Sequence, residues 1–583
     1  MSEAADRAKA ALSRGDLIGA YDIAVSAIAA GDASSAVRHQ QLLALARMGD
    51  TERAMELFTA SGLDRSADPH ERAIGARLLK DRALALPGGP ERIAALEAAF
   101  EAYHSIYRDS GDAFPGINAA TLAMLALQPD RADALAEAVL GDAAVAAGLD
   151  YYMAATRAEA LLILGRTAEV AEALAAPAIA ASQDHGARSS TARQLAMIAG
   201  MWRMNPKMRA ALLAPLAPPR VLHFCGHMFA ADAAAEARLK PLIDRMLAEE
   251  KIGFAFGALA CGADLLIAEA ALARGIALHV VLPFEEADFL AQSVIPGGEA
   301  WEARYRACLA RAASLTLASE VGYFGDPAQF GYGSRMAMGL ARLRAQHLGA
   351  ETVQIAIWDG EPAGGPAGTG ADVAAWTGQS GRTLRVDPGP VARDLVRPPV
   401  SAAGGYERAL AAILFTDFAG FSTLTEMALP AFWDGVMREV AAVLDRHGDR
   451  IVCRNSWGDA LYAVATDAPL AAQVALELQG ALAAFDYATL GLDGAGGMRI
   501  GAHYGPAYRT IDHITGRTTF YGTEVSKAAR IEPVTPPGAV FVTEPFAAIL
   551  ALEAADLFAC RYVGRIPLAK KYGDYPMYRL SAA

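Results

Sequence analysis

Asp417 and Asp459 are the residues most able to do chemistry. Asp417 ends the apolar run ALAAILFTDF (409–418), which predicts a buried strand delivering a carboxylate at its carboxyl end. Asp459 sits in RIVCRNSWGDALYAVAT (450–466), two short strands joined at Ser456–Asp459. Either alone is also ordinary turn or cap chemistry, since Asp favours both. As a pair delivered to one place, two strand-end carboxylates can hold two divalent cations, which activate a hydroxyl and neutralise a phosphate together. The Phe418–Thr423 turn beside Asp417 supplies N–H groups from Gly420, Phe421 and Ser422 that suit phosphate oxygens.

Cations follow downstream. FYGTEVSKAARIEPVTPPG (520–538) predicts a glycine turn and an amphipathic helix stopping at Pro533, with Ser526 and Arg530 four apart on one face. MRIGAHYGPAYR (498–509) predicts a strand running into a Gly505-Pro506 turn, and RIPLAKKYGDYPMYRL places Lys570 and Lys571 before a closing strand. One long helix, about 424–447, is expected between the two aspartates, starting near Ser422.

Two other regions precede this one. Residues 1–215 are Ala- and Leu-rich with helical periodicity. LLALARMGDTERAMELF (42–58) and AEALLILGRTAEVAEAL (158–174) each read as helix, glycine turn, helix. They resemble tetratricopeptide-type hairpins, with a plain helical bundle as the alternative. From 218 to 396 apolar runs alternate with helices, which predicts a parallel sheet with VQIAIWDG (353–360) as its last clear strand. Ligands of such sheets sit at the carboxyl ends of the strands. That rule points to Gly226, His227, Gly262 and Asp264, with Glu269 on the helix that follows, as candidate contacts; a structural spacer sheet is the alternative. RPPVSAAGG (397–405) is the expected linker to the region 406–583.

The chain's 583 residues suggest three or four domains. With 52 Lys+Arg against 65 Asp+Glu, the net charge of −13 argues against a general nucleic-acid binder. No apolar run is long enough for a membrane span, and the N-terminal segment has no apolar signal core. The five cysteines form no CxxC pair, so a cytoplasmic protein without a disulfide framework is expected.

GALACGADLLIAEAALARGIALHVVLPF resembles the Rossmann-like nucleotide-sensor domains of the family that includes lysine-decarboxylase-like (LOG) proteins. That resemblance implies a nucleotide-like ligand. The hydrolases of that family carry a PGGxGTxxE loop; Gly364–Thr369 here has an extra residue and no Glu three positions after Thr369, which argues for sensing over hydrolysis.

The segments of 406–583 together resemble the catalytic domain of class III nucleotidyl cyclases, an α+β, ferredoxin-like fold. The resemblance implies Asp417, Asp459 and the Phe418 carbonyl as ligands of two Mg²⁺ or Mn²⁺ ions per site. It implies Arg530, helped by Ser526, as the transition-state cation and Lys570 as the grip on pyrophosphate. Asn455 and Thr519 align with the base-selecting positions, where neither excludes a base by charge. ATP is the expected substrate, with GTP or a pyrimidine triphosphate, or a silent signalling scaffold, as alternatives. In that family the metals come from one subunit and the Arg and Lys from the other, so the resemblance implies an obligatory homodimer. The helical repeats are expected to take a protein partner.

Overall fold

The computed structural model describes residues 2–399, 407–490 and 497–583. Residues 400–405 of the expected linker, and its junction at 406, lie outside the described residues. The described chain forms two compact units: Met1–Pro218 with His347–Ala350, and Pro219–Gln346 with Glu351–Ala583.

The first unit is helical, with fourteen α-helices between Glu3 and Leu213 among the described residues. Both sequence hairpins form. Gly49 (φ 84°) ends the helix Ser35–Met48, and the Asp50 carboxylate then accepts the Arg53 N–H to open Thr51–Ser61. Gly165 (φ 71°) plays the same part between Tyr151–Ile163 and Thr167–Leu174. Both glycines take the left-handed conformation that a side chain resists. Helix lengths run from 5 residues at Ala143–Ala147 to 21 at Pro90–Ser110, so the array is irregular.

Its alanine-rich core also encloses a polar network. Lys80 donates to Asn118 and Gln194, each at 3.0 Å, and Gln194 donates to Glu159 at 3.3 Å. Burial pushes the Glu159 carboxyl up to about 7. A carboxyl whose folded pKa is raised contributes stability below its unfolded value and loses it as the pH rises through the folded one. We therefore expect the thermal unfolding temperature to fall between pH 5 and pH 7.5 on account of Glu159, and Glu159→Gln to flatten that slope. An unchanged slope in a folded variant refutes the assignment.

The second unit contains two sheets. The first has six parallel strands: β1 (Arg220–Gly226), β2 (Ile252–Gly257), β3 (Ala277–Leu282), β4 (Ser314–Leu317), β5 (Thr352–Ile357) and β6 (Thr383–Val386). Their order is β4-β3-β2-β1-β5-β6, so the winding reverses between β1 and β5. The sequence reading ended at β5. β6 is short and only one of its four residues is fully buried, so it lacks the apolar run that betrays the others.

The second sheet holds β7 (Glu407–Phe418), β8 (Ile451–Trp457), β9 (Ala460–Ala465), β10 (Met498–Ile511), β11 (Thr518–Tyr521), β12 (Val540–Thr543), β13 (Phe558–Pro567) and β14 (Asp574–Ala582). The order is β13-β14-β12-β10-β7-β9-β8, with β11 on β10. Three local expectations are corrected here. First, the chain after Asp417 makes a 3₁₀ turn, Phe421–Thr423, and helix starts only at Leu429, where Pro430 suits a first turn. It then passes through a π segment, Trp433–Met437, before Arg438–Arg446. Second, β10 runs straight through Gly505-Pro506. Among the described residues its far edge carries no strand between the β12 pairing at Ala502 and the β11 pairing at Tyr508, so the missing proline N–H is harmless. Third, the helix at Thr523 stops at Ala528, and a 3₁₀ turn follows at Glu532–Val534.

Candidate active site and an adjoining cavity

Strand register brings the two aspartates together. β7 pairs antiparallel with β9 at Thr416↔Leu461, which leaves Asp417 one residue past the pair and Asp459 in the turn just before β9. Gly458 (φ 58°) makes that turn. Asp459 accepts the Phe418 N–H at 3.3 Å, and the Asp417 and Asp459 carboxyls are within hydrogen-bonding reach. Burial, and then the Asp417 charge, push Asp459 up to about 6. Two carboxyls held this close repel one another, a repulsion that a divalent cation relieves. Among the described residues no cluster of three or more His, Cys, Asp or Glu side chains has the arrangement of a metal site. The fit therefore rests on this pair and the Phe418 backbone. The Phe421–Thr423 turn stands beside it, with Gly420 left-handed (φ 94°) and the N–H groups that open the turn unused within it.

Two residues the sequence reading missed complete this corner. Arg499 lies across the strand pair from Asp417, bridges to it, and stands 3.0 Å from Glu532. Burial pushes Glu532 up to about 7. Arg499 was legible only through the Asp417↔Arg499 register, which no motif encodes.

The remaining candidates fall into two groups. Asn455 lies on β8 opposite Tyr462, whose hydroxyl donates to the Phe520 carbonyl at 3.0 Å. Two residues before Asn455, Cys453 is hydrogen-bonded with Thr519, so both base-selecting candidates lie along β8 and β11. Ser526 is on the short helix Thr523–Ala528, and Arg530 lies just past its end. The Ala569 N–H donates to the Arg530 carbonyl at 3.3 Å, which joins the Lys570 loop to Arg530. Lys570 and Lys571 hold positive φ (62° and 59°), a strained conformation for lysine. Among the described residues, no hydrogen bond or ion pair joins Asp417 or Asp459 to Ser526, Arg530 or Lys570.

Residues 406–582 match the family model of the adenylate and guanylate cyclase catalytic domain. The C-terminal third is thus similar to a cyclase catalytic domain and has its fold. Residues 17–123 match the Tetratricopeptide Repeats-Sensor family, which takes in the first hairpin and not the second. Solved structures similar to the cyclase domain include the adenylyl cyclase CyaB from P. aeruginosa, 17% identical over 30% of this chain and 96% of that one, with a TM-score of 0.28. Another is the guanylate cyclase domain of RhGC from Catenaria anguillulae, in complex with GTP, 18% identical over 30% and 98%, TM-score 0.26. A third is an adenylate cyclase from Trypanosoma brucei in its monomeric state, 22% identical over 29% and 87%, TM-score 0.25. No curated protein matches. No described helix is long and apolar enough to cross a membrane.

The cyclase domain shares its compact unit with a cavity of about 490 Å³ in the parallel-sheet region. The cavity lies at the carboxyl end of β1, where the winding reverses. Gly226, His227 and Asp264 line it, as do Ala367–Thr369 and Asp372. Gly262 (φ 90°) lies behind it, closed against Phe229 and the His227 carbonyl. Glu269 is not among the lining residues; Arg304 holds it with two hydrogen bonds of 2.6 and 2.8 Å. His227 is 3.0 Å from Asp359. His223 and His279 are core residues, bonded to Gln354 and Ser314. One Asp264 oxygen accepts the Ala260 N–H, while Oδ1 is buried without a partner, and burial drives this carboxyl well up. Asp372 is the missed residue here: an acid three positions after Thr369, bonded to Ser334 and pushed up to about 7 by burial.

Proposed function

We propose that the chain converts a nucleoside triphosphate, ATP first, to the 3′,5′-cyclic monophosphate and pyrophosphate in sites shared by two copies of its cyclase domain. The observation that carries this reading is the convergence of Asp417 and Asp459 beside the Phe418 backbone.

Asp417, Asp459 and the Phe418 carbonyl would hold two Mg²⁺ or Mn²⁺ ions, which supply charge neutralisation and an acidified 3′-hydroxyl. In the reaction the 3′-oxygen loses its proton and bonds to the α-phosphorus, and the bond from that phosphorus to the α–β bridging oxygen breaks. Charge builds on the departing pyrophosphate. Lys570 meets it there, while Arg530 and Ser526 hold the α-phosphoryl oxygens. Asn455 and Thr519 contact the base, and the Gly420–Ser422 turn takes the triphosphate.

Two observations support a second copy: the lack, among the described residues, of a direct hydrogen bond or ion pair from the aspartate pair to Ser526, Arg530 or Lys570, and the exposure of Met427 (88%), Trp433 (53%) and Trp457 (80%), which flank the aspartates in sequence. The parallel-sheet region binds a nucleotide-like ligand and the helical repeats a protein partner, and both regulate the cyclase in the cytoplasm.

The test is product formation from ATP, GTP, CTP and UTP with Mn²⁺ and then Mg²⁺. One cyclic nucleotide is expected, lost by about 10²-fold or more in Asp459→Ala. A folded, dimeric chain that makes none from any triphosphate overturns the enzyme in favour of a scaffold.

A further inference from the structure

The helix Ala328–Leu348 has two working faces. Phe330, Gly333, Ser334 and Ala337, at helical spacing, line the cavity. Tyr332, Arg335, Gly339 and Arg342 point to the cyclase domain. The Tyr332 hydroxyl donates to the Tyr504 carbonyl at 2.8 Å, Arg335 pairs with Glu553, and Arg342 donates to the Leu552 carbonyl at 2.9 Å. At Gly339 the backbones meet so closely that a Cβ would stand 1.9 Å from the Ala548 carbonyl oxygen. Met338, Trp376 and Leu552 close the seam as one apolar cluster.

The loop before this helix goes further, to the catalytic segment itself. Ser319 donates to Glu524 at 2.8 Å, in a buried bond. Glu320 accepts from the Tyr575 hydroxyl at 2.8 Å and stands 3.3 Å from the Lys527 ammonium. Glu524 and Lys527 lie on the helix Thr523–Ala528, the one that carries Ser526 and leads to Arg530. Glu524 is 1% exposed and also holds His503 at 2.8 Å, so the contact is part of the domain core. Four residues after Ser319, Tyr323 lines the cavity. The cavity is thus joined to the catalytic helix by a four-residue step, and to β10 and the helix Glu544–Glu553 of the same domain by the helix Ala328–Leu348.

We propose that the cavity is an effector site of the cyclase, read by the Ser526–Arg530 segment through the Ser319–Tyr323 loop and the helix Ala328–Leu348. The proposal rests on the cyclase reading above and specifies how its regulation is wired. Its occupant presents a hydrogen-bond donor to the unpartnered Asp264 oxygen, as a nucleotide's base does, and an acidic group to Arg397 at the cavity wall. Packed elements with two arrangements pass on such a change because they shift as bodies.

The experiment fills the cavity from the shared helix and needs no identified ligand. Ala337→Phe and Ser334→Leu are made in the full chain, each with and without Ser319→Ala. Filling is expected to change the rate of cyclic-nucleotide formation by about fivefold or more. Ser319→Ala is expected to remove most of that change. Filling variants that unfold at the parent temperature and cyclise at the parent rate overturn the proposal. Hydrogen exchange at the Thr523–Ala528 amides gives a readout independent of turnover. If the parent makes no product, the cyclase reading fails on its own, and unchanged protection on filling then overturns the coupling separately. Should one filling variant fail to fold, the other decides.

Discussion

Mixing the Asp459→Ala chain with the Arg530→Ala chain restores cyclic-nucleotide formation that neither has alone. Each substitution removes one half of the proposed site. Asp459 belongs to the carboxylate pair at the end of β7, and Arg530 to the segment tied to the Lys570 loop. No direct hydrogen bond or ion pair joins Asp459 to Arg530 among the described residues; the nearest link runs from Asp417 through Arg499 to Glu532, two residues past Arg530. Loss of either is expected to lower the rate by about 10²–10³-fold, the usual effect of removing one preorganised charge from a transition state. In a mixed population about half the dimers pair the two variants, and one of the two sites in each is then intact, so about one quarter of the parental rate returns. The measurement is product formed after the two purified chains are mixed and re-equilibrated, set against each alone. A mixture as inactive as its components would place both halves of the site in one chain.

What was legible in the sequence follows from what each motif encodes. β7 announced itself because a strand buried on both faces is a continuous apolar run, and Asp417 stands out where that run ends. The β8–β9 hairpin was legible through Gly458-Asp459, good turn chemistry between two short runs. The helix between them was not, because ALPAFW reads as helical while its start depends on where the Phe421 and Phe432 rings pack, 4.9 Å apart. The extent of the helix at Thr523 was misread for a similar reason: Arg530 keeps helical spacing from Ser526, yet the chain turns at Ala529 to meet the Lys570 loop. Contacts made by tertiary packing leave no periodicity. Arg499, Glu532 and the whole seam between Ala328–Leu348 and the cyclase helices belong to that class. Asp372 is different: the sequence displayed an acid at the right offset, and only its length differed from the Glu sought there.

Arg499 is the residue whose replacement should most change how the aspartate corner behaves. Its guanidinium bridges Asp417 and stands 3.0 Å from Glu532, so it is the local countercharge for a group that also includes Asp459. Arg499 and Asp417 are each close to one-third exposed, so the interaction lies between the surface and buried limits; its loss costs about 1–3 kcal/mol. Arg499→Gln is therefore expected to unfold a few degrees lower than the parent in chelator. Mn²⁺ then acts in the opposite direction. In the parent a divalent ion must compete with the guanidinium for Asp417, whereas in Arg499→Gln it meets the carboxylates without that competitor. The rise in unfolding temperature on adding Mn²⁺ should be larger in the variant, and Asp417→Ala should abolish it in both. Equal Mn²⁺ shifts in parent and variant would mean that Arg499 and the cation do not share Asp417, and that Arg499 serves the β7–β10 pairing alone.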